Sequence, residues 1–90
     1  MIRPIHTIHV TSDFQKSFRK LPRHIQELAI KKDHLFKQNA FTPSLRTHKL
    51  KGPLDIYCAY SINLEYRILF RFIDSNEAIY YDIGTHEIYR

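Results

Sequence analysis

Glycine and cysteine are scarce in this chain: two glycines and one cysteine, Cys58, in 90 residues. A single cysteine excludes an intrachain disulfide framework. Its place in a strand-like segment reads as a small buried hydrophobe, and a reducing cytoplasm is the expected compartment. So few glycines leave no Gly/Ser linker or flexible hinge, and no low-complexity tract or internal repeat interrupts the sequence, so one continuous domain over residues 1–90 is expected. No apolar run approaches the about eighteen residues of a membrane span, and Met1-Ile2-Arg3-Pro4 carries no hydrophobic h-region of a secretory signal. A domain of this size buries about 60–65% of its unfolded surface. That leaves one modest core and no deep pocket for a large cofactor; none is expected.

Acidic residues are also in deficit. Nine Asp and Glu face fourteen Lys and Arg, a net charge of +5, which favours a polyanionic or acidic partner without naming it. The histidines show no metal-ligand pattern: His6 and His9 face opposite ways in a strand, no cysteine pair accompanies them, and His24, His34 and His48 stand apart. No metal is expected.

What is present is a clear change of hydrophobic period. Residues 5–10, Ile-His-Thr-Ile-His-Val, are rich in β-branched side chains and predict a first strand after Pro4. Ser12-Asp13-Phe14-Gln15 has capping-box spacing, and Phe14, Phe18 and Leu21 follow on one helical face. That helix stops at Pro22, which opens a second helix with the stripe Ile25, Leu28, Ala29, Leu35 and Phe36 and with Lys31, Lys32 and Lys37 in solvent. Residues 39–53 form a connection with a short strand around Leu50. Beyond it the period becomes two, predicting strands at 56–62, 66–73 and 78–85 separated by turns at 63–65 and 74–77. The expected class is α+β: an N-terminal strand and a helical hairpin packed on a small, mainly antiparallel sheet.

Alternation puts Arg67, Leu69 and Arg71 on one face of the middle strand, with Ile68, Phe70 and Phe72 toward the helices. In the last strand Ile79, Tyr81 and Ile83 alternate with Tyr80, Asp82, Gly84 and His86. The polar set is expected to share the arginine face and form a cleft there. An imidazole beside cations at a sheet edge suits phosphate chemistry on RNA. Metal-free cleavage needs the 2′-OH deprotonated, the phosphorane charge neutralised and the 5′-oxygen protonated as it leaves. Glu65, His86 and the group Lys49, Lys51 and Arg67 could fill those roles, with base and acid unassigned. Each also has an ordinary reading: His86 as a surface histidine, Lys49 and Lys51 as solvated loop lysines, Arg67 paired with Glu65 or Asp82, Tyr89 as a C-terminal anchor.

The ordered combination is informative. A strand, a helical hairpin, the loop His48-Lys49-Leu50-Lys51-Gly52, a meander with Tyr66-Arg67-Ile68-Leu69-Phe70-Arg71-Phe72 and the ending Ile83-Gly84-Thr85-His86-Glu87-Ile88-Tyr89 resemble the RelE/ParE superfamily of bacterial toxins over nearly the whole chain. The likeness is strongest to the RelE/StbE and YafQ-like branches. It implies a cytoplasmic toxin of a type II toxin-antitoxin system, an mRNA-cleaving endoribonuclease working on the ribosome without metal and neutralised by a cognate antitoxin. By that resemblance Lys49 and Lys51 hold RNA phosphates; His48, from its loop position beside Lys49, and Arg71 are further candidate RNA contacts. His86 matches the strand-ending acid/base histidine, Tyr89 the C-terminal aromatic near the nucleotide, and Glu65 the acid before an aromatic. Ser61 departs, since relatives carry Arg or His there; Arg67 in the next strand could supply the missing cation. The alternatives are a ParE-like gyrase inhibitor, whose relatives generally lack the histidine and the lysine pair, and a degenerate module that only binds its antitoxin.

Overall fold

The computed structural model describes residues 2–89, so the two ends of the expected 1–90 domain lie outside the described residues. In chain order the elements are β1 (Thr7–Val10), α1 (Ser12–Lys20), α2 (Arg23–Gln38), β2 (His48–Lys49), β3 (Cys58–Ser61), β4 (Arg67–Asp74) and β5 (Glu77–Gly84). Short 3-10 turns occupy Pro43–Leu45, Gly52–Leu54 and His86–Tyr89. The strands form one sheet in the order β1-β5-β4-β3-β2, antiparallel except for β1, which runs parallel to β5. This is the α+β arrangement the sequence patterning predicts. Among the described residues no helix is long and apolar enough to cross a membrane.

Local chemistry sets the helix ends. The cap of α1 is Thr11, one residue before the expected Ser12: its Oγ1 accepts from the Phe14 amide at 3.0 Å and donates to the Tyr81 carbonyl at 2.8 Å. Thr11 wins because its hydroxyl ties the helix start to the sheet as well as capping it. Pro22 sits at the N-cap of α2, just before the first helical turn rather than in it. Its missing N–H costs nothing at either position.

The core lies between the helical hairpin and one face of the sheet. Phe36 from α2 is fully buried and meets Tyr60 at 4.7 Å, Phe70 at 4.9 Å and Tyr80 at 5.8 Å between ring centroids. Tilted and offset contacts of this kind add about 0.5–1.5 kcal/mol each beyond the area they bury. The polar tips inside this cluster are chained: Tyr60 and Tyr80 hydroxyls lie 2.9 Å apart, Tyr80 donates to Asp33 Oδ1 at 2.7 Å, and Lys37 pairs with Asp33 Oδ2 at 3.1 Å. Cys58 is half-buried against the core, and desolvation pushes its thiol pKa up.

The expected parity of β5 is wrong in its first half. Leu69 pairs with Asp82 but Phe70 pairs with Tyr80, so Tyr81 is an extra residue in a bulge. Ala78, Tyr80 and Ile83 therefore all face the core, while Tyr81 packs its ring edge-to-face on Tyr57 at 5.0 Å. Tyr80 belongs to the core and not to the polar set; Asp82 and Gly84 keep the face expected for them.

Burial raises the pKa of the Tyr60 and Tyr80 phenols above their ordinary value, desolvation being the main cause for each. In the unfolded chain both ionise at about pH 10. Their contribution to stability is therefore complete below that pH and is lost as pH rises above it. Urea unfolding from pH 8 to 11 should show stability falling steeply above about pH 10, and Tyr60→Phe should flatten that fall by up to about 1.4 kcal/mol per pH unit.

Candidate functional site

Antiparallel register makes facing residues share a side of the sheet, so the rows can be read across it. Ser61 faces Arg67 and Arg67 faces Gly84, one row on the side away from the core. The next row on the same side is His48, Ala59, Leu69 and Asp82. Gly84 ends β5 and lets the chain turn sharply: a Cβ there would lie 2.8 Å from Cγ2 of Ile88. The absent side chain thus admits Ile88, and the His86–Tyr89 turn folds back over the end of the sheet. His86 sits in this turn rather than on the strand itself.

The turn delivers His86 to Arg67. Nη1 of Arg67 lies 2.8 Å from Nε2 and 3.2 Å from Nδ1 of the imidazole. A guanidinium has donors only, so the ring nitrogen in that bond accepts and carries a lone pair. Tyr89 packs against the same imidazole edge-to-face, with centroids 5.9 Å apart. Among the described residues its buried hydroxyl has no hydrogen-bond partner. Desolvation raises the phenol's pKa, and the nearby Arg67 charge partly offsets this. Leaving a buried hydroxyl unpaired costs about 1–3 kcal/mol.

Of the expected residues, the structure brings Arg67, His86 and Tyr89 together. Arg67 makes no ion pair with Glu65 or Asp82; Asp82 instead accepts from the Ile83 amide at 2.8 Å. Ser61 stands directly across from Arg67, so the cation sits beside the position where relatives are expected to carry theirs. Glu65 is exposed in the turn before β4, at the same end of the sheet, and its amide is held by the Asn63 side chain. His48 shares the face of Arg67 but lies two strand spacings away, roughly 10 Å. Its Nδ1 is 2.9 Å from the Arg46 carbonyl. Lys49 pairs with Cys58 and so points off the core side of the edge strand, where its charge is felt by that thiol. Lys51 is exposed beyond β2, and Arg71 is on the Arg67 face about 13 Å further along β4. Neither joins the cluster. Among the described residues no three His, Cys, Asp or Glu side chains are grouped as metal ligands.

No family model and no curated protein matches the chain. Solved structures do. The chain is similar to the RelBE2 toxin-antitoxin complex of Mycobacterium tuberculosis at 15% identity, covering 92% of this chain and 93% of that one with a TM-score of 0.77. A YoeB/ParE toxin from Agrobacterium tumefaciens aligns at 15% identity over 90% of this chain and 99% of its own, TM-score 0.75. YafQ from E. coli aligns at 14% identity over 91% and 94%, TM-score 0.72. The fold of this chain is the fold of those toxins.

The close approach at Gly84 is testable without any activity. Gly84→Ala forces Ile88 to move, and should cost about 1–3 kcal/mol in chemical unfolding. Amide resonances of residues 85–89 and of Arg67 should shift while those of α1 and α2 stay in place.

Proposed function

We propose that this protein is the toxin of a type II toxin-antitoxin system and a metal-independent endoribonuclease that cleaves mRNA on the ribosome. The observation that carries the proposal is the 2.8 Å contact between Arg67 and His86 on a basic, exposed sheet end. The shared fold with RelE, YoeB/ParE and YafQ toxins supports it. In this reading the His86 imidazole parts from Arg67 as the substrate binds, and the nitrogen so freed removes the ribose 2′ proton. The 2′-oxygen bonds to phosphorus, the bond to the 5′-oxygen breaks, and a 2′,3′-cyclic phosphate and a 5′-hydroxyl result. Arg67 neutralises the charge that develops on the phosphorane, as pre-placed donors do best. The leaving oxygen takes its proton from water at the open mouth of the site, where Glu65 stands, and the imidazolium quenches the hydroxide so formed. Tyr89 holds the imidazole edge-on. His48, Lys51 and Arg71 on the exposed surface, and Lys49 at the rim of β2, hold flanking phosphates.

The antitoxin is the expected protein partner. It has an apolar anchor in the groove between the hairpin and β1, lined by Val10, Phe14, Phe18 and Ile30, and a basic surface for its acidic residues. Co-expression with the adjacent short open reading frame should relieve the growth arrest caused by this gene. Full growth of a related host on the toxin gene alone would contradict the toxin reading.

Incubating the protein with mRNA, with and without ribosomes and EDTA, tests the activity: cleavage that persists in EDTA is expected. Gyrase-dependent DNA breaks without RNA cleavage would select the ParE-like alternative. Because His86 is exposed and outside the core, His86→Gln should leave the thermal midpoint and RNA affinity near wild type and lower single-turnover cleavage by about 10²-fold or more. Wild-type cleavage in that variant would remove His86 from the mechanism.

A further inference from the structure

A cavity of about 400 Å³ opens between α2, the Pro43–Leu45 turn and the β3–β4 connection, with Arg67 in its lining. Its polar lining is Lys32, Ser44, Arg46, Ser61, Asn63 and Arg67, and no carboxylate lines it. The three cations come from a helix, a loop and a strand, and none is paired with a carboxylate among the described residues. Asn63 adds a donor. Its Oδ1 is already used by the amides of Glu65 and Tyr66, at 2.9 and 2.8 Å, which leaves the NH₂ as the group it can offer. Arg46 holds φ at +52°, the one non-glycine residue with positive φ among those described. A left-handed arginine costs backbone energy that the surrounding structure must offset. The lining is thus rich in charged donors within a volume typical of small-ligand pockets.

We infer that this cavity is a second phosphate-binding subsite, which holds a nucleotide flanking the scissile bond of single-stranded RNA. The inference rests on the ribonuclease reading and extends it. Arg67 is the reason for assigning an RNA strand rather than an acidic protein segment. Arg67 lines the cavity and its guanidinium meets His86 on the open side of the sheet, so a strand that passes around this end of the sheet borders on one cation from both places. Lys32 and Arg46 then act as positioning residues: they fix the register of the strand and take no part in proton transfer. A single strand has a backbone charge at every nucleotide, so two extra phosphate contacts raise affinity and its salt dependence together.

The experiment separates binding from cleavage. A fluorescein-labelled 2′-O-methyl RNA of a few nucleotides has no nucleophile and reports affinity alone. The double variant Lys32→Gln/Arg46→Gln should bind it roughly 10-fold more weakly or worse, with the slope of log K against log salt reduced by about 1 to 1.5, as expected for two lost contacts on a single strand. On cleavable RNA the variant should raise KM while the single-turnover rate at saturation stays near wild type. Lys32→Gln/Arg46→Gly is the check on folding, because glycine accepts the left-handed backbone without strain, and it should behave the same way. Wild-type affinity and salt slope in both variants would overturn the subsite. So would intact RNA binding together with lost antitoxin binding, which would give the cavity to an acidic protein segment. If the wild-type protein cleaves no RNA while binding of the uncleavable strand depends on Lys32 and Arg46, the subsite stands and the nuclease reading falls.

Discussion

The placement of the candidate site depends on one extra residue in β5. A strand alternates strictly, so burying Tyr80 would by itself place Asp82 and Gly84 in the core and turn Ile83 outward. The bulge at Tyr81 removes that conflict. Tyr80 can complete the hydroxyl chain to Asp33, Ile83 can stay buried, and Gly84 can face Arg67 on the open side. The C-terminal turn then starts from the correct face. Without the bulge either the core would lose Tyr80 or the imidazole would be delivered to the wrong side of the sheet.

The two sides of the sheet carry different demands. Toward the helices, aromatic rings packed around Phe36 supply the cohesion a small domain needs. On the other side a smaller patch of Tyr57, Tyr81 and Leu69 lies further along β4 and β5 from the Arg67 end, which is polar and open. The stiffness of the first side positions Arg67, because β4 is the strand that carries both Phe70 and the arginine.

Much of this could be read from the residues in order. The stripes of Phe14, Phe18 and Leu21, and of Ile25, Leu28, Ala29, Leu35 and Phe36, specify a helical hairpin through their spacing alone. The meander follows from period-two patterning, and alternation assigns His86 to the face of Arg67, although the imidazole reaches the arginine from a turn and not from the strand. The bulge was hidden because Tyr80 and Tyr81 are the same residue type and both faces around them are apolar, so no parity was marked. The cavity lined by Lys32, Arg46, Asn63 and Arg67 was hidden for a different reason. Those residues are dispersed along the chain, and each alone reads as a solvated side chain. Arg46 carried no sign of its backbone conformation, since left-handed geometry is usually announced by glycine or asparagine.

The parallel pairing of β1 with β5 also orders events in time. Thr7 to Val10 find their partners in Glu77 to Tyr80, so the first strand made waits for the last. Contacts of such long sequence separation form late and slowly. A chain emerging from synthesis can build the hairpin and β3–β4, yet its first strand stays unpaired and Arg67 has no imidazole beside it until residues 77–89 have been made. A chain without residues 77–89 therefore lacks both the partner of its first strand and the imidazole beside Arg67.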